Sequence, residues 1–344
     1  MISALMVVMS LSGAAQPDRP REAIFASTRG WIGADGNYSI RRSQDKSLWF
    51  FGDTWIGEVR NGKRINAAMI NNSVGVLDRG RMNYAWGTSA GKPAAFLLPA
   101  DGHGWIWPFA GVCIDKKVHV LLYQMEKAPG SEAFGFRNFA VWHAVIDNPD
   151  DAPEAWRIHQ TKFPFSEIGA TQRLFGAAML TVGDDVYIYG VLERPRQTKA
   201  MILARVPARS FADYPQWRFR TADGWSRDFK DAAPLVDGVA SEYSVTRHGD
   251  RFVLVTHEAM LSPKIVARSA AAPDGPWSPA VALYRSPEAN WSKNVFCYAA
   301  KAHPAFNTND TLVISYAANS HKFSDLLDDA RLYWPRFITV KVPK

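Results

Sequence analysis

The sequence is short of the features that point to many familiar chemistries. Only two of its 344 residues are cysteines. Cys113 and Cys297 stand far apart in apolar, strand-like runs with no ligand residues beside them. That setting fits buried thiols better than a disulfide or a zinc site. Long apolar helical patterns are nearly absent, and SDLLDDARL at 324–332 is the best of them. There is no GK[ST] phosphate loop, no HExxH and no paired CxxC, so the nucleotide-cradling and metallopeptidase readings that need them fall away. The aspartate box of sialidases, SxDxGxTW, is missing as well. No cofactor motif is present, and a structural calcium ion has no ligand pattern to support it. The formal net charge is +7, yet Lys and Arg are dispersed among acids without a long basic run. Such a surface is a solvated one with at most mild attraction to anionic polymers, and it gives no reason to expect a nucleic-acid partner.

What is there begins with composition. Hydrophobic residues make up 47% and charged ones 21%, a balance that supplies a core and excludes disorder. Aromatic residues reach 12%, weighted toward 13 Trp, and Gly and Pro are scattered throughout. Many short strands and turns follow from that mixture. The amino terminus, MISALMVVMSLSGAAQPD, is apolar up to Ser12-Gly13-Ala14-Ala15 and then turns polar. It reads as a leader peptide of residues 1–15, which predicts a secreted or periplasmic protein with no lasting membrane insertion; an uncleaved anchor is the alternative.

Residues 31–55, WIGADGNYSIRRSQDKSLWFFGDTW, read as a β-hairpin with a carboxylate at each open end, Asp35 before the first strand and Asp53 after the second. An antiparallel pair brings those ends together at one sheet edge. The same shape returns four times, with turns at Asp115-Lys116, Gly183-Asp184, Gly249-Asp250 and residues 307–309. Each copy has a first strand rich in small residues and a second that is β-branched or aromatic. The spacing leaves room for two more strands per unit, so the predicted fold is an all-β, five-bladed β-propeller over residues 16–344. A pair of β-sandwiches accounts less well for five similar hairpins.

In a propeller the ends of these hairpins meet on one face. That collects Asp35, Asp53, Trp105, Trp107, Gln172, Arg173, Glu193, Glu242, His257, Glu258, Asn294, Tyr298 and Asn319. Acids ringed by Trp, Tyr, Asn and Arg suit sugar cleavage, which needs one carboxylic acid and one carboxylate. Asp35, Asp53 and Glu242 are the candidate catalytic residues. Asp53, close to Asp35, tunes its titration or takes the base role. Trp31, Trp105, Trp107, Arg173, His257, Tyr298, His303 and Asn319 are candidates for holding a polysaccharide or oligosaccharide. Trp225 and Trp291 also precede predicted inner strands, whereas Trp49 and Trp142 read as core.

The segments GADGNYSIRRSQDKSLWFFGDTWIG, NNSVGVL, WPFAGVCIDKKVHVLL, FGAAMLTVGDDVYIYGV and YAAKAHPAF…LVISYAANS resemble a bacterial family of five-bladed propellers of unknown function, some of whose members are endo-D-arabinanases. More distantly, they are similar to the arabinanase, arabinofuranosidase and fructosidase propellers. The resemblance covers residues 25–342 and implies that Asp35 and Asp53 are catalytic, with Glu242 a third. The second-blade Asp of the wider arabinanase group is replaced here by Trp105-Ile106-Trp107-Pro108. The function expected is an exported glycoside hydrolase acting on arabinan-like furanosidic polysaccharide. A non-catalytic sugar-binding propeller and a protein-binding scaffold are the competing readings. The crowding of two acids on one hairpin favours the enzyme, because repulsion between them has a cost that a pure binder has no reason to carry.

Overall fold

The computed structural model describes residues 15–128 and 135–341. The expected leader therefore lies outside the described residues except for Ala15. Five antiparallel sheets of four or more strands follow one another along the chain. The first comprises Tyr38–Arg41, Lys46–Phe51, Ser73–Asp78 and Arg81–Ala85. Trp105–Ile114 opens the second, Gln172–Val182 lies within the third, Tyr243–His248 opens the fourth and Val295–Ala302 the fifth. These five strands lie side by side in that order. Ser39 on the first meets His303, just beyond the last, through an Oγ–Nδ1 hydrogen bond of 2.8 Å. The following strands, such as Lys117–Lys127 and Arg251–His257, are buried along almost their whole length. Covered on both faces by neighbouring sheets, they read in the sequence as continuous apolar runs and not as alternation.

Turn chemistry explains the hairpins. Asp115 and Lys116 both have positive φ, the geometry that matches strand twist in a two-residue loop, and Gly183 and Gly249 open the next two. The small residues of the first strands have a different cause. Register shifts fall between Pro108 and Gly111, Phe175 and Ala178, and Tyr298 and Lys301. The sequences FAG, FGAA and YAAK thus mark β-bulges, with Gly176 and Ala299 in left-handed conformations. Cys113 and Cys297 are both unpaired, but only Cys297 is fully buried; Cys113 lies against Arg42.

The opening hairpin differs from the one read in the sequence, because its strands do not end at the acids. Arg29–Ala34 pairs with Thr54–Arg60, and Lys63–Ile70 completes a separate three-stranded sheet. Three strands therefore pass from that sheet into the first of the five. They break at Asp35-Gly36-Asn37, at Gly52-Asp53 and at Asn71-Asn72. At the break the Asp35 N–H donates to the Asp53 carbonyl (3.2 Å) and the Gly52 N–H to the Asp35 carbonyl (3.0 Å). A Cβ on Gly52 would overlap Asp35 Oδ1, and Gly36, at φ +78°, packs against the Gly52 backbone. Neither position has space for a side chain.

Two polar groups hold this arrangement in place. The Arg64 guanidinium, 4% exposed, donates to the carbonyls of Ile32, Leu326 and Leu332, tying the three-stranded sheet to the segment after helix Phe323–Asp328. Gln16–Pro17 adds a strand to the fifth sheet beside Arg336–Lys341, joining the two ends of the described chain. Asp18 then caps helix Arg19–Phe25 through the Arg21 N–H (3.2 Å) and accepts the Thr339 hydroxyl at 2.6 Å. Among the described residues no helix is long and apolar enough to cross a membrane.

Burial alone would raise the Asp18 carboxyl, but hydrogen bonds from Thr339, the Arg21 backbone and the Arg21 guanidinium outweigh it and hold it below its ordinary value. Its stabilisation is therefore present above the unfolded carboxylate value and lost as pH falls through the depressed one. Chemical denaturation is expected to find Asp18→Ala weaker by roughly 1–2 kcal/mol at neutral pH. That difference shrinks once the pH drops below the ordinary carboxylate range.

Candidate active site

The break in the opening hairpin delivers both aspartates to a cavity of about 430 Å³. Asp35, Asp53, Trp107, Glu242, Tyr298 and Tyr333 surround its floor, drawn from the first, second, fourth and fifth sheets and from the segment before the last strand. The Asp35 carboxyl lines the cavity beside Gly36, Gly52 and Tyr298. Its Oδ2 accepts two phenol hydrogen bonds, from Tyr298 at 2.5 Å and Tyr333 at 2.9 Å. Asn319 Nδ2 donates in turn to Tyr298 Oη at 3.3 Å. Asp53 accepts the Trp107 indole N–H at 2.8 Å and a hydrogen bond from the Asn71 side chain. Glu242 is paired with Lys301, whose ammonium lies 2.6 Å from Oε2 and 4.2 Å above the Tyr38 ring. Lys301 is itself only 2% exposed. It is seated by the bulge at Ala299, to whose carbonyl it donates at 3.2 Å.

These environments separate the acids. Burial raises the Asp35 carboxyl far above the carboxylate range; the negative charges of Asp53 and Glu242 add to this, and the two tyrosine donors do not offset it. Burial also raises Asp53, against the opposing hydrogen bonds from Trp107 and Asn71. The phenols of Tyr298 and Tyr333 are pushed well up by burial and by Asp35, so they stay protonated as donors. The result is a carboxyl poised to hold a proton in the same cavity as Glu242, which is ion-paired with buried Lys301. Among the described residues no group of three or more His, Cys, Asp or Glu side chains is arranged to hold a metal ion.

The residues expected from the sequence divide into two sets. Asp35, Asp53, Glu242, Trp107, Tyr298 and Asn319 line the cavity. Trp31 does not: it is 1% exposed, stacks on Tyr84 at 4.2 Å and donates to Ser73, because the hairpin runs on past Asp35 and takes Trp31 into the core. Trp105 shares a strand face with Trp107, two residues on, but packs edge-on against Trp107 and Phe136 and is not among the cavity-lining residues. Arg173 is ion-paired with Glu167, while its neighbours Gln172 and Leu174 reach the cavity. His257 is fully buried, and burial pushes its imidazole down to about 4. His303 sits between the Ser39 and Ser315 hydroxyls beside a separate cavity of about 50 Å³ inside the ring. Trp31, Trp105, Arg173, His257 and His303 are therefore not placed to touch a molecule in the main cavity.

Sequence reasoning missed Tyr333, Lys301 and Asn71. Asn71 and Lys301 lie inside segments that carry the family resemblance, NNSVGVL and YAAKAHPAF. Tyr333 belongs to a loop without strand pattern and left no signal.

The family model described as a domain of unknown function, DUF5005, matches residues 18–342. The chain belongs to the DUF5005 family. A stretch of 102 residues is 38% identical to Notoamide biosynthesis cluster protein J of Aspergillus sp. (strain MF297-2), 28% of this chain and 26% of that protein. The chain thus spans about a quarter of the length of the curated relatives it matches. Among solved structures, a putative hydrolase from Bacteroides ovatus superposes with a TM-score of 0.76 at 17% identity, over 96% of this chain and 92% of that one. An α-L-arabinofuranosidase from Lactobacillus brevis gives 0.53 at 14% identity, over 90% of each chain. These likenesses show that the DUF5005 chain shares an all-β fold with glycoside hydrolases.

The raised Asp35 carboxyl also affects stability. Its contribution is complete below the ordinary carboxylate value of 3.8 and is lost as pH rises toward about 8. Asp35→Asn removes that loss. Thermal melts across this window are expected to show the wild type losing stability relative to Asp35→Asn; parallel curves would contradict the assignment.

Proposed function

We propose that the protein is a glycoside hydrolase that cleaves a furanosidic bond of the arabinan kind at this cavity. The observation that carries the reading is the pairing of a carboxyl disposed to keep its proton, Asp35, with Glu242 held by Lys301 on another sheet. Asp35 gives its proton to the leaving oxygen as the anomeric C–O bond breaks. The Glu242 carboxylate attacks the anomeric carbon or takes a proton from the water that does so; after hydrolysis the water oxygen is on the sugar and the proton inventory is restored. Asp53 is the second negative charge that keeps Asp35 protonated. Tyr298, Tyr333 and Trp107 fix the two aspartates and narrow the space around the reacting bond.

The fold likeness to an α-L-arabinofuranosidase supports the furanose part of the reading. Its structural frame is a single five-bladed propeller over residues 16–344, each of the five sheets a blade, exported behind a leader ending at residue 15.

The test is to incubate the purified protein with arabinans and small arabinofuranosides and to follow new reducing ends. Asp35→Asn and Glu242→Gln are each expected to lose roughly 10²–10⁴-fold in kcat/KM while remaining folded. Full activity in Asp35→Asn would remove it from the mechanism, and no release from any furanoside would remove the reading.

A further inference from the structure

The cavity walls describe the molecule that enters more closely than its floor does. Among the described residues, Trp107 is the one tryptophan that lines the cavity, so platforms for successive sugars of a polymer are few. Trp31 is in the core, Trp105 packs against Trp107 outside the lining, and Trp107 reaches the cavity with its N–H committed to Asp53. The volume of about 430 Å³ is at the small end of the range of about 300 to 1,000 Å³ typical of small-molecule sites. It suits one sugar and a modest second group.

Away from the acids, the wall is built by Met125, Leu174, Val191, Met260, Leu261 and Phe296. Leu174 and Val191 face each other across paired strands of the third sheet. Met260 stands on the loop between Arg251–His257 and Lys264–Ala270 and is 43% exposed, an apolar side chain left in water at the cavity rim. The polar groups on this side are engaged with one another. Asn138 donates to Gln172 at 2.9 Å, and Lys199 pairs with Glu193 and donates to Ser241, both at 2.7 Å. An apolar group placed against Leu174, Val191 and Met260 has only water to displace.

We infer that the substrate is a glycoside whose leaving group is apolar, an alkyl, aryl or isoprenoid alcohol, seated against the Leu174–Val191–Met260 wall. This narrows the substrate class of the same site and rests on the hydrolase reading above. The bond broken is still the anomeric C–O bond. Water adds its oxygen to the sugar, and the apolar alcohol leaves with the Asp35 proton.

Methyl, butyl and octyl arabinofuranosides of both enantiomeric series separate the two ideas, because their leaving groups differ in apolar surface far more than in basicity. Hydrolysis by the wild type tests the enzyme. Binding to Asp35→Asn, followed by tryptophan fluorescence below micelle-forming concentrations, tests the wall independently of turnover. Each methylene removed from water contributes roughly fourfold in affinity, so even partial burial predicts at least a tenfold tighter Kd for octyl than for methyl. Met260→Gln is expected to flatten that slope. Hydrolysis with equal affinity across the series would overturn the apolar leaving group and leave the hydrolase standing. A steep binding series without hydrolysis would do the reverse. Arabino-oligosaccharides cleaved faster than the octyl glycoside would also overturn the inference.

Discussion

Three strands crossing from one sheet into the next at a single level is the constraint on which the rest depends. A strand that leaves its sheet gives up ladder hydrogen bonds, and the freed groups need partners. Here the crossing points are filled by Asp35-Gly36-Asn37, Gly52-Asp53 and Asn71-Asn72. The Asn72 side chain pins the Leu97 backbone (2.6 Å from Oδ1 to N) and the Ile106 carbonyl (2.9 Å), while Asn71 reaches Asp53. The same residues that mend the backbone thus place two carboxyls at the cavity floor. Gly52 leaves space for the Asp35 carboxyl itself, so the fold and the site share one set of atoms.

The supports extend outward from that level. Arg64 gathers the carbonyls of the segment that ends at Tyr333, and Tyr333 donates to Asp35. Gly33 is pressed between the Tyr333 carbonyl and the Arg64 guanidinium, so the three-stranded sheet and the loop fit together only without a side chain there. On the opposite wall the bulge at Ala299 turns Lys301 inward to Glu242. The cavity carboxyls Asp35 and Glu242 are held by partners that are themselves held, which fixes their geometry.

Much of this was legible in the chain. Small residues followed by β-branched runs marked the hairpins, and the turns at Asp115-Lys116, Gly183-Asp184 and Gly249-Asp250 fall where the sequence placed them. The acids were found by their position relative to those strands. What period-2 reasoning could not supply was where a hairpin stops. The run before Asp35 and the run after Asp53 pair as well, and that continuation turned Trp31 from a platform into core. Side-chain direction within a strand explains Arg173 against its neighbours, a one-residue alternation that bulges can reset; Trp105 and Trp107 share a face, on which only Trp107 lines the cavity. Tyr333 and Lys301 act at a distance in sequence of hundreds of residues from Asp35 or within a bulge, and neither has a local pattern to announce it.

Of the two buried aspartates, Asp35 is raised further than Asp53 and keeps its proton when ordinary carboxyls have lost theirs. A ¹³C-carboxyl NMR titration of aspartate-labelled protein measures that directly. The highest-titrating resonance, far above the carboxylate range and absent from the spectrum of Asp35→Asn, is the result predicted here. A protein in which every aspartate is ionised by mildly acidic pH would contradict it.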